Sequence, residues 1–531
     1  MSKGFLSSCF FSTHVQRALP AISAAFLLSA YCGAQAPCSG VIVTPGSDTH
    51  VQRLLNGNPE NTTFCFQPGL YRFANPISPK NGQQLIAQGP GVDLNGAKVV
   101  RHFVASGGNY HATGYLGRSG PSSTNCWVRG SLCNTLQDVF LDGQPLQRVT
   151  SVKKLAPGTF YEDFHSSQIW LHDNPAGHRA EQAYAPALIQ SSASGVTVKG
   201  FIAEKAAVPA QQGAISAAGY SGAGWLLENN EVRYNHGAGI TSFPATSAQG
   251  GSTIRSYYVH HNGQEGLAGH GPSLVVANNE LAFNNRFNYS CEWECGGAKF
   301  AGGPGQEIQD LLVTGNHVHD NYGSGFWCDI NCYHPTFANN LVTNNKQTDP
   351  KTGYQMGVGI FCEISDRCVI HDNTLRNNGP GAKDPNANVF YDGAQILVSA
   401  TANSEVYNNV VTGANGIGML QQDRPDSCSF GNSTNYPDGT PVCPYQYSGH
   451  YIHWTHDNSF HDNIMTETAS GHNHAAIAGL STDLNNGCPD CFQANNLYRN
   501  DSYFLPNSLL GYFTWENSLI NEAAWFSYGQ D

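Results

Sequence analysis

The chain has 531 residues, of which 40% are hydrophobic, 11% aromatic and only 12% charged, with 58 Gly and a formal net charge of −13. That length exceeds what one ordinary core holds, so several domains or one elongated repeat architecture is expected. Sparse charge and abundant Gly exclude a coiled coil or helical bundle, the apolar content excludes disorder, and 26 Lys+Arg against 39 Asp+Glu disfavour a nucleic-acid partner.

Residues 1–36 read as a secretory signal. Lys3 and Arg17 precede the apolar run 21–30, and Ala34-Gln35-Ala36 supplies the small-x-small pattern that a signal peptidase needs. The run is too short to span a bilayer, and no other long apolar stretch follows, so a soluble protein without a membrane span is expected, secreted to the extracellular space or periplasm. The cysteines agree. Beyond Cys9 and Cys32 they fall into local pairs, Cys38/Cys65, Cys126/Cys133, Cys291/Cys295, Cys328/Cys332, Cys362/Cys368, Cys428/Cys443 and Cys488/Cys491, which is a disulfide framework in an exported chain. Cys488-Pro-Asp-Cys491 has CxxC spacing, but no second CxxC or His pair stands beside it as a zinc site requires.

Residues 37–134 read as an N-terminal cap and the first coils of a solenoid. Residues 135–190 interrupt the pattern with LDGQPLQRV, LAPGTFYEDF and QIWLHDNP, the strands and hairpins of a small inserted β unit. Over 191–424 the chain repeats itself. Asn-x4-Asn recurs at 230/235, 279/284, 316/321, 339/344 and 373/378, and again beyond this segment at 458/463 and 495/500. Strands opening with Gly239, Gly266, Gly297, Gly325, Gly359 and Gly393 follow at steps of 27, 31, 28, 34 and 34 residues. A unit that short, holding only brief strands and turns, cannot bury a face alone and must stack on its neighbours. Turn asparagines suited to left-handed backbone, and the lack of helical periodicity, give an all-β chain: a right-handed parallel β-helix with an inserted β unit. Asparagines stacked at one turn would form an amide ladder, and a β-propeller is the alternative fold. Residues 425–531 supply a long loop held by Cys428 and Cys443, the last coils and a C-terminal cap.

Period-two alternation then says which side chains leave the coil. In Gly325–Ile330, Phe326, Cys328 and Ile330 are expected inward and Trp327 and Asp329 outward. In Gly359–Ile364, Ile360, Cys362 and Ile364 go in while Phe361 and Glu363 go out. Aligning the glycines sets Glu363 beside Asp329 on parallel strands about 4.8 Å apart. Lys299 shares register with Trp327 and Phe361, Glu292 and Glu294 stand just before it, and His270 falls at the same count from Gly266. Two carboxyl groups about 5–5.5 Å apart are what a retaining glycosidase needs, one attacking the anomeric carbon and the other moving a proton. Trp327 and Phe361 would stack against a sugar, Lys299 would hold a hydroxyl or ionise the nucleophile, and His270 and Glu294 would bind at the rim. A lone outward acid on a solenoid is ordinarily solvated surface. The stacked pair with its Lys and aromatics is distinguished because like charges on neighbouring strands repel. Asp423-Arg424 could reach the same cleft, whereas His450, His453, His456, His461, His472 and His474 lack metal spacing and read as turn and surface residues.

At these residues the chain resembles the parallel β-helix glycoside hydrolases, in particular the β-xylosidases of that fold. LDGQPLQRVTSVKKLAPGTFYED with QIWLHDNPAGHRAE is similar to that family's inserted β unit, and the coils GFWCD and GIFCEIS to its paired coils. The resemblance implies Asp329 as nucleophile and Glu363 as acid/base. It departs where Ile330-Asn331-Cys332 replaces a further aromatic and where residues 346–356 are inserted between the coils.

Three functions follow as expectations. The first is a secreted, monomeric, xylosidase-like retaining glycoside hydrolase acting on polysaccharide or oligosaccharide. The second is a polysaccharide lyase or uronate epimerase in which Lys299 takes a proton, a reading that the scarcity of basic residues opposes. The third is a non-catalytic carbohydrate-binding or adhesion solenoid. No cofactor is implied, calcium at the Asp329/Glu363 pair being the one ion considered.

Overall fold

A computed structural model describes residues 38–531 apart from 115–119, 218–221, 243–250, 303–307, 352, 354, 380–389, 391–392, 424–434, 437, 444, 448, 470–474, 485–491, 493 and 516. Short apolar-alternating runs broken by Asn or Gly make strands of two to six residues, too short to form a sheet with their chain neighbours. They pair instead with the same strand of the next coil. Three long sheets of 13, 12 and 12 strands result. Neighbours in them pair in parallel, except that Phe513–Trp515 and Ser518–Ile520 are antiparallel at the end of one sheet.

The register stacks like on like inside the coil. One column runs Ile240, Leu267, Ala298, Phe326, Ile360, Ile396, Ile417. The next runs Phe300, Cys328, Cys362, Val398, Met419. All of them sit in one continuous core. Phe326, Cys328, Ile360 and Cys362 point inward as the alternation predicts. Ile330 does not: with Ile364 and Ala400 it takes a left-handed turn, φ 49°, 51° and 43°, so strand alternation ends one residue earlier.

Two amide ladders hold the turns. One runs Asn279, Asn316, Asn340, Asn373, Asn409, Asn463, with each side-chain N–H donating to the next side-chain oxygen at 3.0 Å. The other runs Asn235, Asn262, Asn284, Asn321, Asn345, Asn378 and ends on Gln395, at 2.8–3.1 Å. The members at one coil are Asn340 and Asn345 rather than the expected Asn339 and Asn344. Those two adopt φ 57° and 58° and present the residue that follows. Asn495 and Asn500 likewise take left-handed φ, leaving Asn496 and Asp501 to accept from Asn458 and Asn463.

Both ends of the core are covered. The helix Asp48–Gly57, capped by Ser47, buries Val51 and Leu55 at one end. At the other, Trp525 of the helix Glu522–Ser527 stacks on Phe513 at 4.8 Å between ring centroids. The inserted β unit comprises sheets of four and five strands between Ala97 and Ala183, so it begins well before residue 135. Its own core includes Val100, Val139, Phe160 and Ile169. Buried Glu181 docks it to the coils, meeting Arg72 at 2.7 Å and Lys205 at 3.1 Å.

Five of the expected disulfides are formed, Cys38–Cys65, Cys126–Cys133, Cys291–Cys295, Cys328–Cys332 and Cys362–Cys368. Cys443 is disulfide-bonded, while Cys428, Cys488 and Cys491 lie outside the described residues. Among the described residues no helix is long and apolar enough to cross a membrane.

Candidate active site

The site forms on the outer face of one 12-stranded sheet, on strands Glu265–Gly269, Gly296–Ala301, Phe326–Asp329, Ile360–Glu363, Ile396–Ser399 and Ile417–Gln421. Pairing of Ala268 with Lys299, Lys299 with Trp327 and Trp327 with Phe361 builds one outward column. Two residues further on, Ala301 pairs with Asp329 and Glu363 with Ser399. Cys328 pairs with Cys362, so Asp329 and Glu363 occupy the next matched position on adjacent strands.

These side chains leave the coil but not the protein. Lys299, Asp329 and Glu363 are only 7%, 5% and 3% exposed. Two loops cover them. One is the Cys291–Cys295 loop, and the other runs through the hairpin of Gln347–Thr348 with Gln355–Met356. Gln347 ties the loops together, donating to the Tyr289 carbonyl at 2.7 Å and accepting from the Cys291 N–H at 3.2 Å. Between loops and sheet lies a cavity of ≈ 110 Å³ lined by Glu292, Trp327, Met356, Phe361, Glu363 and Gln422 among others. A larger depression of ≈ 740 Å³ lies on the inserted unit, but Asp142 is its single carboxylate and no paired acids meet there.

Lys299 is the electrostatic centre. Its Nζ lies 2.9 Å from Asp329 Oδ2 and 3.7 Å from Glu294 Oε1, and it donates to the Trp293 carbonyl at 2.9 Å. Burial alone would lower its pKa, but the Asp329 and Glu294 charges outweigh that and hold the ammonium above the usual lysine range. Asp329 Oδ1 is buried with no hydrogen-bond partner, and Asp329, like Lys299, lies beneath the cavity rather than in its lining. Glu363 is held on both oxygens: Trp327 Nε1 donates to one at 3.0 Å and Gln422 Nε2 to the other at 2.8 Å. Gln422 also lies 2.6 Å from the Ser399 hydroxyl.

Trp327 does not present a face to the cavity. Lys299 Nζ sits 3.8 Å from its ring centroid, and Phe361 stacks on the other side at 5.4 Å and 16°. The register that places the three residues in one column makes each cover the next. Trp327 is thus sandwiched and acts through its indole N–H, while Phe361, half-buried, lines the cavity. Glu294 accepts from Gln211 at 2.8 Å, and burial pushes its carboxyl above the ordinary glutamate range. Glu292 lines the cavity. His270 stands at the edge, its Nδ1 against the Ala301 carbonyl, outside the cavity lining. Burial, and secondarily the Lys299 charge, drives it down to about 4, so it is neutral near pH 7.

Two neighbours were not foreseen. Glu265, fully buried at the start of its strand, has both carboxyl oxygens without a partner, and burial with the nearby Glu294 raises its pKa well above normal. Gln422, rather than Asp423, is the residue of that segment that reaches the cleft. Asp423 instead meets His450 Nε2 at 2.7 Å, and Arg424 lies outside the described residues. Of the expected turn histidines, His456 and His461 pair with Asp457 and Asp462, the residues that follow them in the turns. His453 is buried and driven down to about 3, and His472 and His474 lie outside the described residues.

Residues 213–411 match a family model described as the right-handed β-helix region. No curated protein matches the chain. Among solved structures it is similar to the complex of XylC with xylose, at TM-score 0.53 and 14% identity over 88% of this chain and 82% of that one. It is also similar to a glycoside hydrolase, at 0.42 and 11% over 84% and 89%. A third is the periplasmic alginate epimerase AlgG, at 0.38 and 11% over 88% and 84%. By its sheet topology and by the match over residues 213–411, the protein is a right-handed parallel β-helix, the fold it shares with XylC.

Proposed function

We propose that the protein is an exported retaining glycoside hydrolase, xylosidase-like, acting on a polysaccharide or oligosaccharide, with Asp329 as nucleophile and Glu363 as acid/base. The observation that carries this reading is the Lys299–Asp329 contact of 2.9 Å, with Glu363 at the matched position one strand away. Neighbouring strand backbones stand about 4.8 Å apart, a spacing compatible with the 5–5.5 Å between carboxyl groups that retaining enzymes use.

In the first step Asp329 Oδ1 bonds to the anomeric carbon as the bond to the leaving oxygen breaks, and Glu363 gives that oxygen its proton. In the second, Glu363 takes a proton from water whose oxygen attacks the same carbon, releasing Asp329. Glu363 must therefore be served in two protonation states. The Gln422 amide can turn its oxygen toward a protonated Glu363 and its N–H toward the carboxylate, and the Ser399 hydroxyl can rotate to match. Lys299 offsets the nucleophile's negative charge before attack and when the glycosyl group leaves.

The same contact weighs against the alternatives. A lysine held charged by two carboxylates is a poor base for removing a proton α to a uronate, and its ammonium already occupies the position that calcium would take beside Asp329. Export rests on the formed disulfides and on the N-terminal segment. The test is hydrolysis of a panel of aryl glycosides, xylosides included, and of plant polysaccharides by the wild type, Asp329→Asn and Glu363→Gln, each checked for an intact melting transition. Loss of several orders of magnitude in both variants supports the reading. Wild-type inactivity on the panel with product formed by elimination from uronates removes it.

A further inference from the structure

On a different sheet from the carboxylate cleft, the strands Glu280–Ala282 and His317–His319 lie side by side with Glu280 opposite His317 and Ala282 opposite His319. Alternation puts His317 and His319 on one face of their strand, where their rings stack at 4.1 Å between centroids. His319 Nε2 is 3.2 Å from Glu280 Oε1. One ligand atom from each of the three residues lies within 4.8 Å of the other two. Glu280 remains 46% exposed and His319 14%, so an ion can reach them from solvent.

A second feature sets the imidazole for coordination. His319 Nδ1 donates to Asp320 Oδ2 at 2.8 Å, so that Nε2 is the nitrogen turned to Glu280, and a bound ion would replace the proton those two atoms share. A carboxylate that orients a ligating histidine in this way is the usual outer partner of a bound transition metal. The His–Asp turn by itself is not the signal, because it recurs at His371/Asp372 and His461/Asp462. There the rings lie flat against Tyr407 at 4.9 and 5.1 Å, and the paired residue is that tyrosine rather than a carboxylate. At His319 the cross-strand partner is Ala282, and Glu280, two residues before it, reaches His319 Nε2 at 3.2 Å.

We propose that Glu280, His317 and His319 form a three-ligand site for a borderline divalent transition-metal ion of the zinc class, with water as fourth ligand. Two imidazoles and a carboxylate match that ion's preference over calcium or magnesium, which take oxygen ligands in greater number. With Zn–N of about 2.0–2.1 Å, tetrahedral ligand atoms sit about 3.3 Å apart, so ligand atoms now within 4.8 Å of one another would draw together on binding. The bound ion would join two successive coils. The site is independent of the glycosidase reading.

The test uses tag-free protein stripped with EDTA and titrated with zinc chloride by calorimetry and with cobalt chloride by visible absorption. The expected result is one ion per chain, a tetrahedral cobalt spectrum and a raised melting temperature. Glu280→Gln and His317→Ala should each weaken binding at least tenfold. Asp320→Asn, which leaves every ligand in place, should weaken it about tenfold. These side chains lie outside the apolar core, so the variants should still fold, which their melting transition in EDTA checks. If no binding appears up to millimolar metal, or if affinity and stoichiometry are unchanged in the double variant His317→Ala/His319→Ala, the trio is a surface ion pair with a stacked ring and the proposal is overturned.

Discussion

Asp329 is buried opposite a single ammonium, so its fate and that of Lys299 are linked. Removing one partner of a buried pair strands the other charge and costs about 3–5 kcal/mol, whereas replacing both with apolar groups is close to neutral. Lys299→Met should therefore destabilise strongly in denaturant, and Lys299→Met/Asp329→Leu should recover part of the loss, Glu294 remaining without its cation. Additive costs would contradict the coupling. Glu467 makes a second prediction at this scale. Its Oε1 accepts from the Ala469 N–H at 2.7 Å, its Oε2 has no partner, and burial lifts its pKa from 4.5 to about 8. The folded state therefore keeps this proton between pH 4.5 and 8 while the unfolded chain releases it, so stability falls as pH rises through that window. Glu467→Gln keeps the acceptor and removes the titration. Melting curves from pH 4 to 9 should show the variant gaining on the wild type from about pH 5 upward, with parallel curves refuting the assignment.

At the scale of one coil, amides and glycines fix the geometry. Asn321 Oδ1 accepts from the Asn284 side chain at 2.9 Å, and its own amide donates to the Leu281 carbonyl and to Asn345. Asn321→Ala leaves buried groups unpaired and should cost about 2–4 kcal/mol by denaturant unfolding. Asn344→Gly, at a left-handed turn position outside the ladder, should stay within about 1 kcal/mol. Gly323 has φ 153°, and a Cβ there would lie 2.2 Å from Cys295 Sγ. Gly323→Ala should displace the disulfide loop that covers Lys299, lowering activity more than stability.

The coil repeat was legible because its physics is local: glycines open strands, asparagines take left-handed turns, and period two sorts inside from outside. The aligned column Lys299, Trp327, Phe361 and the Asp329/Glu363 match followed from that alone. What sequence did not reveal was which of two adjacent asparagines enters the ladder, since Asn339-Asn340 and Asn344-Asn345 differ only in φ. Nor did it reveal that Trp327 is covered on both faces, although the same column implied it. Glu265 stands just before the Gly266 that marks its strand and Gln422 just past the end of its own, so counting outward positions from the glycines reaches neither.

Residues 38–531 form a stack with covered ends, in which each coil is stabilised chiefly by its neighbours. Trp525 buries fully against Phe513, Tyr498 and Trp515. Trp525→Ala should raise amide exchange first in the last coils, around Leu497–Phe504, and leave the Phe326–Glu363 region protected. Uniform loss of protection would mean that the solenoid unfolds as one unit. A rigid stack also accounts for where the chemistry is proposed: matched register on adjacent strands places two carboxyl groups at a fixed separation, and loops then remove them from water.

The central claim is that Asp329 forms a covalent bond to the sugar while Glu363 moves the proton. The measurement that tests it most directly is proton NMR of the first anomer released from an active substrate, combined with peptide mass spectrometry after trapping with the matching 2-deoxy-2-fluoro glycoside. Retained configuration and a label on the peptide containing Asp329 are expected. An inverted first product, or a label on another residue, would contradict it.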